Sequence, residues 1–311
     1  MMKKIIVLAI IFILSFSAFT PLGVKSFGAQ NSELLIFGGA VSGGAGVETE
    51  NSYAKLFSVK NRLNLKNYAV HGLTTEELNV VLDGISDSEI RNAGLIVVET
   101  GLHDILNVLD TVLLKIDAAE LDAAAINRLG AELESESFVS KMQKAVDDFE
   151  IEFNKVADRL RAKNTEVAVF TVYNPYSGIM IENQLAGIER FNLGLYVEFW
   201  LDKMNACIRG RGDIKIVDIF EVFEVSAKKL VNATITLIPP RYVIDPYPTK
   251  AGQMQIYESL NTFYTQSNKP TNSGKLPAWA VALIVVGCTI LLAAAAGAGY
   301  FAYKKKKTQK I

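Results

Sequence analysis

The residues most able to reveal chemistry lie in a glycine-rich turn that follows a hydrophobic strand. Residues 34–38 read Leu-Leu-Ile-Phe-Gly and run directly into Gly39, Ala40, Val41 and Ser42. In α/β folds such a strand and turn present a reactive side chain at the carboxyl edge of a sheet. Ala40 in this turn carries only a methyl group, which cannot attack an acyl carbon. A turn of this kind is expected to direct Ser42 elsewhere.

The only two histidines, His71 and His103, each follow a predicted strand. The carboxyl ends of parallel strands meet at one edge of a sheet, so the two histidines should lie close together there, with Asp104 beside them. Two imidazoles and a carboxylate can bind zinc, but ligand spacing cannot be read across separate loops. The sequence therefore assigns no metal and no cofactor.

Five short apolar segments alternate with helical patterns, which predicts a parallel sheet joined by right-handed crossovers. The predicted strands are Glu33–Phe37, Leu65–Val70, Leu95–Glu99, Glu166–Thr171 and Ile214–Ile219. Long helices are predicted over Ile105–Leu129 and Glu134–Lys163, and a further helix over Gln253–Phe263. The pattern indicates an α/β fold, a three-layer α/β/α sandwich.

Four segments between Glu33 and Gln266 resemble, in chain order, the sequence blocks of the SGNH (GDSL) hydrolase family of esterases and lipases. In the first block the family has Gly-Asp-Ser, whereas this chain has Gly39 at the Asp position and Ala40 at the nucleophile. The second block contributes a glycine N–H to the oxyanion site, and Gly72 matches it. The family's third block ends in Gly-x-Asn-Asp, whose Asn is another oxyanion donor.

Two further signature positions are replaced. His103 stands at the Asn of the third block, before Asp104. In the last block, Asp-x-x-His-Pro, Tyr247 takes the place of the general base. Ile244 takes the place of its orienting carboxylate, with Asp245 one residue later.

The resemblance implies a flavodoxin-like sandwich with a five-stranded parallel sheet and no catalytic residue. Loss of a triad nucleophile alone costs about six orders of magnitude in turnover. The cleft or ligand-binding residues that the resemblance implies are Gly39, Ala40, His71, Gly72, His103, Asp104, Tyr173, Asp245 and Tyr247.

The ends of the chain predict a membrane protein. Residues 1–29 have the basic start and apolar run of a signal peptide, and residues 276–303 are 28 uncharged positions, enough to span a bilayer. Residues 304–311 begin with four lysines, which stay on the cytoplasmic side. We therefore expect a single-pass type I protein of the plasma membrane, with an extracytoplasmic domain at residues 31–266 and a stalk at 267–275.

The stretch before the span resembles a bacterial wall-sorting signal, but Trp279 stands where that signal has Thr. This favours a bacterial source with membrane rather than wall anchoring. Between Glu33 and Glu258 there are 22 Lys and Arg against 33 Asp and Glu, a net charge of −11. An acidic domain argues against nucleic acid as a partner.

Three functions remain open at this point. The domain either binds an acylated or glycan ligand or another surface protein without turnover, or it is an active esterase that acts on lipid or cell-envelope acyl groups through a rearranged site. A purely structural domain is the third alternative, and it predicts a cleft filled by Tyr247 and Tyr173.

Overall fold

A five-stranded parallel sheet forms the centre of the molecule. A computed structural model describes residues 32–113, 123–163, 165–182, 190–233, 235–238 and 241–267. The sheet strands are β1 (Glu33–Gly38), β2 (Asn64–Asn67), β3 (Leu95–Glu99), β4 (Val167–Phe170) and β7 (Lys215–Val217). Their spatial order is β2-β1-β3-β4-β7, with every pairing parallel. All five predicted strands are confirmed, although β2 ends at Asn67 rather than at Val70.

The helices and two hairpins complete the described fold. The helices are α1 (Tyr53–Asn61), α2 (Thr75–Asp83), α3 (Asp87–Asn92), α4 (Leu102–Leu113), α5 (Ala123–Leu133), α6 (Glu136–Arg161), α7 (Leu193–Gly210), α8 (Ile219–Glu224) and α9 (Lys250–Ser267). The antiparallel hairpins pair β5 (Met180–Glu182) with β6 (Arg190–Asn192), and β8 (Ile235–Ile238) with β9 (Arg241–Ile244).

Both faces of the sheet are covered. Side chains alternate between the two faces of a strand, yet the four residues from Leu34 to Phe37 are all 0% exposed. The helices divide accordingly into two groups. In the first group α1 contacts α9, where Asn61 bonds to Asn261. In the second group α6 packs against α2, α4 and α7. The predicted α/β/α sandwich with five parallel strands is therefore confirmed.

The longest helix, α6, follows the predicted amphipathic pattern. Its N-cap Ser135 accepts a hydrogen bond from the N–H of Phe138, which satisfies one of the free donors of the first turn. Its buried side chains recur every three or four positions, and Phe149 stacks on Phe153 with ring centroids 5.5 Å apart. The helix predicted over Ile105–Leu129 is represented by parts of α4 and α5, because residues 114–122 lie outside the described residues.

The predicted signal peptide and membrane span also lie outside the described residues. Within the part of the chain that the structure describes, no helix combines the length and apolar character that a bilayer crossing requires. The chain divides into two units after Phe263, inside α9, and all that follows concerns the first unit.

Gly101 connects β3 to α4, and replacing it tests how tightly the end of the sheet is packed. Its φ is +101°, and a Cβ would lie 2.8 Å from Val172 Cγ2 and 2.9 Å from a ring carbon of Phe149. We expect Gly101→Ala to lower the free energy of unfolding by about 2–4 kcal/mol, because overpacking and backbone strain add. Urea denaturation measures the change. The control is Gly210→Ala, where a Cβ has open space, and equal midpoints for the two variants would contradict the packing argument.

Candidate active site

The candidate site lies at the carboxyl edge of the sheet. The chain passes from β1 to β2 on one side and then crosses to β3 on the other side of β1. In open parallel sheets, ligands bind in the crevice beside such a reversal of strand order. The segments that follow β1, β2 and β3 meet at this crevice. Ala40 and Gly72 lie in the first two of them, and His103 lies in the first turn of α4.

A buried glutamate fixes the loop that follows β1. Glu99 ends β3 opposite Gly38, and its Oε2 accepts the backbone N–H groups of Gly39 at 3.0 Å and Ser42 at 3.1 Å. The two strands are so close at this point that a Cβ on Gly38 would lie 2.4 Å from the carbonyl oxygen of Glu99. Burial raises the pKa of the Glu99 carboxyl, and the hydrogen bonds from Ser42 and Gly39 act in the opposite direction. Sequence reasoning missed this residue, although a carboxylate at the end of an apolar strand was a signal.

The position of the family nucleophile offers no reactive group. Ala40 is 1% exposed and Ser42 is 0% exposed. The Ser42 hydroxyl lies 2.6 Å from the hydroxyl of Tyr53, beneath the loop. As expected from the sequence, Ser42 is therefore directed away from the crevice.

Tyr247 joins the two histidines. Its hydroxyl lies 3.1 Å from His71 Nε2 and 3.4 Å from His103 Nε2. The His71 ring centroid is 5.2 Å from that of Tyr247 and 5.9 Å from that of His103. His103 is buried, Tyr247 is half-buried and His71 is exposed, so this ring cluster opens to solvent on the side of His71. The expected convergence of the histidines and Tyr247 is thus observed.

Burial shifts the pKa values of His103 and Tyr247 in opposite directions. Burial, and then the charge of His71, lower the pKa of His103, which keeps its imidazole neutral at neutral pH. Burial, followed by the charges of Asp245, Asp110 and Glu99, raises the pKa of the Tyr247 phenol. At neutral pH Tyr247 is therefore a protonated phenol, a poor nucleophile.

Asp245 holds the loop between β9 and α9 in place and does not orient a base. Its Oδ1 accepts the backbone N–H of Tyr247 at 2.9 Å, and its Oδ2 accepts from Asn232 Nδ2 at 3.1 Å. Both oxygens thus hold the loop in which Tyr247 lies. Ile244, which stands at the family's Asp position, is the last residue of β9.

Two of the predicted cleft residues have structural contacts. Asp104 accepts hydrogen bonds from the backbone N–H and the hydroxyl of Thr75, at 3.0–3.2 Å, and so fixes the start of α2. Tyr173 is 2% exposed, and its hydroxyl donates to the carbonyl of Pro246 at 2.7 Å. The prediction that Tyr173 lines the cleft is corrected, because its ring packs on Phe223 beneath the last loop.

Gly72 has a left-handed backbone conformation. Its φ is +82°, in the left-handed region that glycine adopts without steric cost, and no atom lies within 4 Å of the place a Cβ would take. Gly39 has room for a side chain, since a Cβ would lie 3.5 Å from His103 Nδ1 and 3.7 Å from Glu99 Oε1.

No cluster of three or more His, Cys, Asp and Glu side chains suited to a metal ion occurs within the described residues. A groove of about 310 Å³ lies at the opposite, amino-terminal edge of the sheet. It is lined by charged side chains that pair with one another, Arg161 with Asp213 at 3.1 Å and Lys215 with Glu166 at 2.7 Å. This groove is therefore remote from the residues that the sequence singled out.

Solved structures of lipases share this fold. A lipase from a goat rumen metagenome matches with a TM-score of 0.53 and 16% identity, over 74% of this chain and 96% of that one. An extracellular lipase from Streptomyces rimosus matches with a TM-score of 0.52 and 15% identity, over 74% and 98%. Phospholipase A1 from Streptomyces albidoflavus NA297 matches with a TM-score of 0.50 and 20% identity, over the same shares. No family model matches the sequence, and no curated protein matches it.

The chain therefore has the fold of the SGNH (GDSL) hydrolases. The resemblance of the four sequence blocks predicted this fold, and the structural likeness confirms it.

The buried carboxyl of Asp104 should make the free energy of unfolding depend on pH. Burial raises the pKa of its carboxyl to about 6, against the hydrogen bonds from Thr75. A carboxyl whose pKa is higher in the folded state favours folding at low pH and loses that contribution as pH rises through the folded pKa. The unfolding free energy of the wild type, minus that of Asp104→Asn, should therefore fall between about pH 4 and pH 6 and then level off. Urea denaturation across this range measures the difference, and a difference that grew with pH would contradict the assignment.

Proposed function

We propose that this protein is a membrane-anchored, extracytoplasmic protein of SGNH hydrolase fold that binds a ligand or partner without hydrolysing esters. One observation carries the proposal. Where the family has its nucleophile, the structure has the buried methyl group of Ala40, and the nearest hydroxyl in the same loop, that of Ser42, lies beneath it against Tyr53.

The rest of the site supports the same conclusion. A replacement nucleophile would need a lowered pKa or an adjacent base that takes its proton. The Tyr247 hydroxyl lies within hydrogen-bonding distance of both histidines, and both burial and neighbouring carboxylates raise its pKa. The ring cluster is thus suited to hydrogen bonding rather than to attack on an acyl carbon.

The same ring cluster supplies a recognition surface. His71 and Tyr247 place aromatic faces and polar edges at the rim of the crevice, where a few converging polar groups fix a ligand's orientation. Hydroxyl and carbonyl oxygens are the natural partners of such edges. An acylated molecule or a glycan carries both, and we propose this class of ligand.

The proposed location rests on the sequence. The basic, apolar start of the chain supports export, and the uncharged run at 276–303 before four lysines supports a single span with the domain outside. An exported domain on a short stalk would meet ligands and partners at the cell surface.

An ester hydrolase is the alternative, because the solved structures that share the fold are named as lipases. Hydrolysis of short-chain p-nitrophenyl esters separates the two functions. We expect no turnover by the wild type, and activity in a variant with Gly39→Asp, Ala40→Ser, His103→Asn, Ile244→Asp and Tyr247→His.

The structure adds a refinement to this restored variant. An aspartate at position 39 would approach the carboxylate of Glu99, because a Cβ there lies 3.7 Å from Glu99 Oε1. A second form with Glu99→Gln removes that repulsion. The matched control keeps Ala40 and all the other changes, and it should be about as inactive as the wild type, since the nucleophile accounts for about six orders of magnitude. Wild-type turnover that disappears in His103→Ala would overturn the proposal.

A further inference from the structure

We propose that the outer face of α7, around Leu195 and Phe199, docks a partner protein through a basic, amphipathic segment of that partner. This goes beyond the proposed function, because the surface uses none of the crevice residues and takes a macromolecule whether or not a ligand occupies the ring cluster.

Two large apolar side chains are exposed on successive turns of α7. Leu195 is 63% exposed and Phe199 is 56% exposed. Residues four apart in a helix are neighbours on one face, so the two side chains form an apolar ridge. Phe199 is the only aromatic residue among the large hydrophobic residues that are exposed in the described part of the chain. Aromatic anchors supply much of the binding energy of protein interfaces, and more than half of this one lies in water.

The ring of Phe199 is already held in place. It meets the Trp200 ring edge-on, with centroids 5.0 Å apart, and Lys203 Nζ lies 4.7 Å from the centroid of each ring. Lys203 also donates to Gln143 Oε1 on α6 at 2.6 Å. The anchor is therefore ordered before a partner arrives, which lowers the entropy cost of binding. Val139, one turn before Gln143 on α6, is also exposed and extends the apolar surface to that helix.

Carboxylates border the ridge on the side of α8. Glu198 lies three positions after Leu195, and Asp202 lies three positions after Phe199, so each carboxylate is beside the ridge. Burial, and then the charge of Glu198, raise the pKa of Glu224 at the end of α8, and Asp202 adds a smaller effect. Glu224 Oε1 is buried and accepts no hydrogen bond from the described residues. A cation beside this acidic border would therefore be stabilised.

The arginine on this flank does not neutralise the acidic border. Arg209 of α7 donates two hydrogen bonds to Asp218, at 2.8 and 3.0 Å. After Asp218, the charges of Asp202 and Glu221 also act on Arg209. The border on this side of the ridge thus stays negative.

An apolar ridge beside an acidic border determines the chemistry of the partner. Opposite charges across an interface favour association, and like charges oppose it. A segment with apolar side chains one turn apart, and with Lys or Arg beside them, matches both features. A second copy of this acidic domain would bring carboxylates towards carboxylates. An anionic lipid surface would be repelled for the same reason.

Binding of a fluorescein-labelled peptide of leucine and lysine, about 18 residues long and arranged to give one apolar helical face, tests the proposal. The full chain is held in phosphatidylcholine nanodiscs, and empty nanodiscs give the background. Fluorescence anisotropy should show saturable binding. Phe199→Ala and Leu195→Ala should each weaken it at least about fivefold, because the anchors are lost. Asp202→Lys should weaken it about tenfold, because it places like charge against the peptide.

Two matched variants lie on α1 and α9, in the other group of helices. Val59→Ala shortens an apolar side chain that is 64% exposed, and Glu258→Lys reverses the charge of an exposed residue. Both should bind the peptide as the wild type does. A peptide of the same composition in scrambled order controls for charge alone, and it should bind the wild type more weakly.

Three results would overturn the proposal. The first is equal binding by the wild type and the variants at Leu195, Phe199 and Asp202, and the second is equal binding of the ordered and scrambled peptides. The third is a dimer in sedimentation, or association with phosphatidylglycerol vesicles, that Phe199→Ala abolishes, because the ridge would then belong to a second copy or to a lipid surface. None of these variants alters the crevice, so failure here leaves the ester-hydrolysis test of the proposed function unaffected.

Discussion

The bond between the Glu99 carboxylate and the backbone of the loop after β1 is the interaction on which the rest of the site depends. One carboxylate oxygen accepts hydrogen bonds from the N–H groups of Gly39 and Ser42. Both bonds are buried, where an N–H group without a partner would lower the stability of the fold. The bond is made to the backbone, so it fixes the loop without regard to the side chain at position 40. This explains how the loop keeps its shape around the small side chain of Ala40.

The parallel sheet could be predicted because its signals are local. Runs such as Leu34–Phe37 and Leu95–Val98 are apolar throughout, which is typical of strands buried on both faces. The role of Glu99 could not be predicted, since it depends on the register that sets Glu99 opposite Gly38. The hairpins β5–β6 and β8–β9 were missed because strands of three or four residues carry too little periodicity to detect.

At the site, the sequence predicted position better than orientation. His71 and His103 were expected to meet because each follows a parallel strand, and strand ends share an edge. Side-chain direction depends on contacts far along the chain, which no local pattern records. Tyr173 illustrates this, since its hydroxyl reaches the carbonyl of Pro246, 73 positions away, and the ring lies under the loop rather than in the cleft.

The central claim is that the SGNH fold here contains no activated nucleophile. Incubation of the purified protein with a fluorophosphonate, followed by intact-mass measurement, tests it most directly, because such reagents phosphonylate activated hydroxyls whatever the natural substrate. The account predicts an unchanged mass for the wild type. A stoichiometric adduct that maps to Ser42 or Tyr247 would contradict it.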